Sequence, residues 1–197
     1  MPNKVKFGLK GVHYAMTTIA ADGSATFGTV KPFPGAVSLS MDVQGDLTPF
    51  RADNMDYYVS NGQNSYQGDL EMAMFTDEVR QDLFGDVKEE TSGLQYEVAG
   101  QEAKHFALMF QFEGDVHGIR HVMYNCTATR PSVGSTTTGE NGEIEPQTET
   151  STITASPIYI PSTQEEVIKA KVGAEDAAYA NWFTAVQVPG GGTQQGG

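Results

Sequence analysis

His117 and His121 lie four residues apart, a spacing that on a helix would set two imidazoles on one face to share a metal ion. On a strand the same spacing separates them by roughly 13 Å, too far for one ion. Gly114, Asp115 and Gly118 around them suggest strand and hairpin, so the pair is taken as surface or loop histidines. Only their convergence with Asp115 would revive a hydrolase. His13 and His105 sit in unrelated segments with no Glu-x-x-His or His-x-His companion. The pairs Glu89-Glu90 and Glu165-Glu166 carry carboxylates of the kind used in acid–base chemistry, but in a chain this acidic they are read as solvated faces. Ser132 and Ser135 have no neighbouring base in sequence. Cys126 is the only cysteine, which excludes an internal disulfide and a multi-cysteine zinc site and makes a core thiol its simplest role. No Gly-x-x-x-x-Gly-Lys-Ser/Thr phosphate loop occurs, and Gly190-Gly191-Gly192 opens no helix. Asn125-Cys126-Thr127 fits the glycosylation pattern, but that modification needs a secretory route. Met1 to Lys10 alternates charge with Val5, Phe7 and Leu9 and has no apolar signal core. The expectation is a non-enzymatic chain with no catalytic residue, cofactor or metal.

The elements that would hold such residues are mainly strands, because period-two alternation recurs between Gly, Asn, Asp and Pro clusters. Val12-Tyr14-Met16 follows the opening Val5-Phe7-Leu9, as two strands or one bent strand, and leads into an Ala21-Asp22-Gly23-Ser24 hairpin turn. Val37-Leu39-Met41-Val43, alternating with Ser38, Ser40 and Asp42, is the cleanest half-buried strand. Leu70-Met72-Met74, Leu94-Tyr96-Val98, Phe106-Leu108-Phe110-Phe112, Val122-Tyr124-Cys126-Ala128 and a Thr-rich run from Glu149 to Ala155 continue the pattern. Thr76 is placed to cap a single short helix with Asp77 and Glu78 in its first turn and Val79, Leu83 and Phe84 as its apolar stripe, ending at Gly85. Ala174 to Asn181 suits a short helical turn.

Two polar stretches interrupt these elements. Residues 44–65 are turn-rich yet carry Phe50, Tyr57 and Tyr58. Rings in such a segment either pack on the domain's own core or supply interface area. Residues 131–147 form a low-complexity loop. The chain is expected to be one domain over residues 1–188 with a flexible Gly-rich tail at 189–197.

With 25 Asp plus Glu against 12 Lys plus Arg and a formal net charge of −13, the surface has few cations for phosphates, so tight nucleic-acid binding is not expected. The balance suits a soluble protein or a conduit past which DNA slides without sticking. No run of about 20 apolar residues is present, so no membrane span is expected. The 39% apolar content and 22 glycines favour an all-β chain with many turns.

Several blocks, in order, resemble the phage major tail proteins of the phi-thirteen type. They include Gly8-Leu9-Lys10-Gly11-Val12-His13-Tyr14-Ala15, Pro34-Gly35-Ala36-Val37-Ser38-Leu39-Ser40, Phe50-Arg51-Ala52-Asp53-Asn54, Tyr57-Tyr58 and Tyr66-Gln67-Gly68-Asp69-Leu70-Glu71. Further along are His105-Phe106-Ala107-Leu108-Met109-Phe110, Arg120-His121-Val122-Met123-Tyr124-Asn125-Cys126-Thr127-Ala128, Glu145-Pro146-Gln147-Thr148-Glu149-Thr150 and Asn181-Trp182-Phe183. No single block is diagnostic, but their order and spacing are specific, and the stretch beyond Val188 departs from the family core. The resemblance implies a tail-tube fold, with two packed antiparallel sheets, a sandwich or barrel, and one flanking helix. It implies self-assembly into stacked rings, six copies usually closing each ring around a lumen for genome DNA. It also implies tail tip, tape measure and terminator proteins as partners, and a virion tail assembled in the bacterial host cytoplasm. On that reading Phe50, Asp53, Tyr57, Tyr58 and Tyr66 are subunit-interface residues. Competing readings are a tail terminator, a tube subunit of a non-viral injection device, and a monomeric carbohydrate-binding β-sandwich using Tyr57, Tyr58 and Trp182.

Overall fold

A computed structural model describes residues 8–45, 47–52, 55–61, 65–113, 118–135, 147–190 and 192–193, with backbone only for 47–52, 55–61 and 192–193. The expected opening strand at Val5-Phe7 and most of the 131–147 loop lie outside the described residues. The chain begins with β1 (Leu9–Ile19), β2 (Ala25–Phe27), β3 (Lys31–Pro32) and β4 (Ala36–Gln44). Two strands, β5 (Leu47–Ala52) and β6 (Met55–Asn61), precede β7 (Ser65–Met72) and helix α1 (Asp77–Phe84). Short strands β8 (Val87–Lys88) and β9 (Gln95–Tyr96) lead to the central pair β10 (Phe106–Phe112) and β11 (Arg120–Ala128). The remainder comprises β12 (Glu149–Ser156), β13 (Ile158–Ile160), β14 (Glu165–Val167), β15 (Lys169–Val172), a 3-10 turn at Ala177–Tyr179, β16 (Gln187–Val188) and β17 (Gly192–Thr193). The protein is mainly β, with antiparallel sheets and, among the described residues, one α-helix, as the alternation predicts.

Among the described residues nine strands join one sheet, in the order β2-β1-β10-β11-β12-β7-β4, with β3 beside β1 and β15 beside β11. Even-numbered residues of β10, Phe106, Leu108 and Phe110, enter one core cluster, while Ala107 and Met109 enter a second on the other face. A strand that is apolar at both parities is buried on both faces, so β10 is more enclosed than its Phe/Leu alternation alone implies. The first cluster gathers Val12 and Tyr14 of β1, Leu70 and Met72 of β7, Ile153 of β12 and the apolar face of α1. The second lies under the C-terminal third of the chain, which contributes Ile158, Ile160, Trp182 and Val186.

In β11, Val122 and Tyr124 face the second cluster but Cys126 faces the first. Simple alternation through Ala128 predicts one face for all of them. Pairing with β10 shifts between Phe106↔Cys126 and Leu108↔Met123, so β11 carries an extra residue there. A bulge of this kind flips every later side chain to the opposite face.

Helix α1 starts where its capping chemistry places it. The Thr76 side chain accepts a hydrogen bond from the Val79 amide, and Gly85 closes the helix at φ 73°, a left-handed conformation that favours glycine. Ion pairs tie the helix and its flanks to the sheet, among them Lys31 Nζ with Glu78 at 2.9 Å. The Arg80 guanidinium donates to Glu149 at 2.6 Å while Glu149 also accepts from the Phe75 amide at 2.7 Å. Asp82 accepts from Tyr14 Oη at 2.7 Å and from Lys31 Nζ at 2.6 Å, and hydrogen bonding to Asp82 raises the Lys31 ammonium above its ordinary pKa. Arg130 pairs with the buried Asp86 and donates to the Phe84 carbonyl at 2.6 Å.

The Leu94-Tyr96-Val98 run forms a shorter strand than its alternation predicts. Only Gln95–Tyr96 is strand, paired with Val87–Lys88 in a two-stranded sheet. Gly93 and Gly100 adopt positive φ on either side and stop the strand from extending. The first residues of the expected C-terminal tail also take part in structure, since β17 pairs with β16.

Candidate assembly surfaces

Residues 44–65, expected as a polar loop, fold in their described part as a β-hairpin. Backbone pairing runs from Leu47↔Asn61 to Ala52↔Met55, with a bulge at Phe50/Arg51. Backbone hydrogen bonds between two strands need no apolar face, so a polar sequence can hide such a hairpin from a search for alternating burial. Phe50 pairs with Tyr58 in the ladder, Tyr57 lies next to it in β6, and Asp53 lies outside the described residues. The hairpin leaves the sheet after Gln44 and returns at Ser65, which pair with each other. Tyr66, one residue further on, is half-buried at its base beneath Lys169, whose Nζ is 4.3 Å from the ring centroid. The fold thus brings Phe50, Tyr57 and Tyr58 onto one hairpin with Tyr66 at its root.

β4, the strand that enters this hairpin, is a sheet edge. Its inner side pairs with β7 from Ala36↔Met72 to Gln44↔Ser65, and no ladder covers its outer side among the described residues. Leu39 and Met41 pack toward the core, whereas Val37 and Val43 are 47% and 60% exposed. The four-residue apolar face expected here is therefore only half used within the subunit. Neither Lys nor Pro occurs between Ala36 and Gln44; a register shift at Ala36/Ser38 and Asp42 are the features that soften this edge.

Two further surfaces have no counterpart in the sequence reading. Where β11 passes from its partner β15 to its partner β12 the sheet forks, and a groove of about 300 Å3 opens between Met41, Tyr66, Phe110, Phe112, Met123 and Lys169. Lys169 and Lys171 are both exposed and alternate with Ala170 and Val172, which turn toward the second core. Toward the other end of the subunit, beyond α1, Val87 and Tyr96 are cross-strand partners and Leu94 shares the face of Tyr96. These three side chains are 37%, 46% and 61% exposed, so the face turns outward. The Leu94-Tyr96-Val98 alternation carries the signal of an apolar face but does not reveal that, among the described residues, no layer covers it.

Among the described residues, those capable of chemistry do not converge. His117 lies outside the described residues, and His121 is held among rings, stacked on Phe110 at 5.3 Å with Phe112 edge-on. His105 bonds Asn125 at 2.7 Å, and His13 stacks on Phe183. Among the described residues no group of three His, Cys, Asp or Glu side chains is placed to hold a metal. Ser132 and Ser135 are exposed loop residues, and Glu165 and Glu166 lie in β14, exposed. Burial pushes the Cys126 thiol up to about 12, so it is a protonated core side chain at neutral pH. Trp182, a candidate sugar platform, is 3% exposed and donates its indole N–H to the His121 carbonyl at 3.3 Å; a ring so enclosed cannot stack on a glycan. No helix among the described residues is long and apolar enough to cross a membrane.

A family model described as phage tail tube protein matches residues 2–189. No curated protein matches. One solved structure, a chain in the cryo-EM structure of the anti-feeding prophage (AFP) baseplate, 6-fold symmetrised, aligns at 13% identity over 89% of this chain and 99% of its own. Its TM-score is 0.40, a similarity too low to support any inference about this chain.

Proposed function

We propose, on the premise that this chain belongs to the phage tail tube protein family, that it is the repeating, non-enzymatic subunit of a long-tailed phage's tail tube. Copies close into rings, six to a ring on the family expectation, and the rings stack into a conduit for genome DNA. The observation that carries the reading is the edge of β4, whose outer side no ladder covers among the described residues. In an isolated subunit it leaves a row of backbone donors and acceptors and two apolar side chains unpartnered, an arrangement that favours pairing with another chain. The β5–β6 hairpin, which carries Phe50, Tyr57 and Tyr58 and has Tyr66 at its base, continues from the same strand and would reach a neighbour, together with Asp53. The acidic excess fits a lumen that repels phosphate. Tail tip, tape measure and terminator proteins are the partners such a tube requires, and the site of action is the virion tail, assembled in the host cytoplasm.

Negative-stain electron microscopy of the purified protein at rising concentration, with light scattering for mass, tests this. Tubes of constant width are expected. Single rings that never stack would instead identify a terminator, and a persistent monomer even with a tail-tip initiator added would remove the tube reading.

A further inference from the structure

The outward face of Val87, Leu94 and Tyr96 and the groove of Met41, Tyr66, Phe110 and Phe112 lie toward opposite ends of the subunit. The first adjoins the C-terminal end of α1, next to Asp86 and the Arg130 that pairs with it. The second opens where β10 ends at Phe112 and β11 begins at Arg120, at the base of the β5–β6 hairpin. Their chemistry is complementary. The face is apolar and exposed, with Glu89 and Glu90 beside it against one ammonium, Lys88, while Glu97 already pairs with Arg130 at 3.3 Å. The groove is apolar inside and bears Lys169 on its β15 side, with Lys171 two residues further on the same face of that strand. In so acidic a protein, a cationic lip around an apolar groove is a specific feature, and the chain itself carries a surface that matches it.

We infer that successive copies stack through these unlike ends, the Val87–Leu94–Tyr96 face of one subunit seating in the Tyr66–Phe112 groove of the next. A contact between different patches on identical subunits is heterologous; at opposite ends, with no rotation that closes it into a ring, it propagates along an axis. Apolar side chains fill the groove, and the carboxylates beside them meet Lys169 and Lys171, which sets orientation and speeds encounter. This inference rests on the tube reading above and adds to it the specific axial contact.

Inter-chain cross-linking tests it in the full-length protein. Chains carrying Leu94→Cys are mixed with chains carrying Met41→Cys, leaving the buried Cys126 in place, and are oxidised mildly under assembling conditions. A mixed disulfide exceeding either self-pairing is expected. The double variant Lys169→Glu with Lys171→Glu should slow the cross-link about tenfold, and Glu89→Lys with Glu90→Lys on the other partner should restore it. Tubes without the mixed cross-link would overturn this contact and leave the tube reading standing. The cross-link without tubes would support the contact and overturn the tube reading, and absence of both would overturn both. A cross-link indifferent to the charge reversal would also overturn the inference.

Discussion

Gly68 offers a sharp perturbation, because β4 crosses it more closely than any side chain allows. A β-carbon built on Gly68 would lie 1.8 Å from the Ser40 carbonyl oxygen and 2.8 Å from the Met41 α-carbon, both backbone, whereas ordinary contact begins near 3.4 Å. Gly68 sits mid-strand between Met41 of β4 and Ile153 of β12. β12 is held on both sides and β4 on one, so it is β4 that must yield in Gly68→Ala. Overpacking typically costs about 1–3 kcal/mol, and each ladder hydrogen bond loosened beside it removes about 1 kcal/mol more. A total of about 3 kcal/mol corresponds to a fall in Tm of about 6–12 °C, at roughly 2–4 °C per kcal/mol for a chain of this length. Thermal unfolding gives the size of the effect, and amide hydrogen exchange gives its place. Ala36–Gln44 should exchange faster in the variant while Phe106–Phe112 keeps its protection. A Tm within about 2 °C of wild type, or exchange that rises uniformly, would refute the claim that Gly68 exists to admit β4.

Arg130→Met leaves Asp86, whose side chain is 5% exposed, without its cation. The loss should be about 3 kcal/mol, the low end for a broken buried pair because Arg130 is partly solvated, and urea unfolding would measure it. Thr76→Ala removes the side-chain acceptor for the Val79 amide; about 1 kcal/mol should be lost, with the helix signal in circular dichroism otherwise intact. Alkaline pH should also destabilise the fold. Cys126 ionises near 9.0 when exposed but only near 12 in the fold, because burial disfavours the thiolate. The unfolded chain therefore releases its proton first, and stability that is complete below pH 9 falls as pH rises toward 12. Tyr14 and Tyr124 are raised by burial and act in the same direction. Urea midpoints compared between about pH 8 and about pH 10.5 should drop less for Cys126→Ala than for wild type; equal drops would show that Cys126 has no part in it.

Much of the fold was legible because its signals are local. Thr76, Asp77, Glu78 and Gly85 mark both ends of α1 through hydrogen bonds that the sequence alone specifies. The Asp22-Gly23 turn likewise announces the β1–β2 hairpin, with Ser24 held by Asp22 at 2.6 Å. What escaped depends on which strands become neighbours. Alternation puts Leu39 and Met41 on one side of β4, but that β4 would be an edge with Val37 and Val43 uncovered follows only from its pairing with β7 alone. The same pattern in Leu94-Tyr96-Val98 signals an apolar face and says nothing of whether another layer covers it. The bulge that sends Cys126 to the opposite face from Tyr124 is marked locally by nothing more than Asn125, a single polar residue that also fits a regular strand, and it is the β10 register that reveals it. Of the proposed interface residues, Phe50, Tyr57 and Tyr58 are recognisable as rings in a polar stretch, but the hairpin that carries them is made of backbone pairing, to which composition is blind.

The most direct test of the central claim is immunogold electron microscopy of intact phage particles carrying this chain, using antibodies raised against the purified protein. Label distributed along the whole length of the tail shaft, at a density set by a repeating subunit, is the predicted result. Label confined to the tail tip, the head or the head–tail junction would contradict the account.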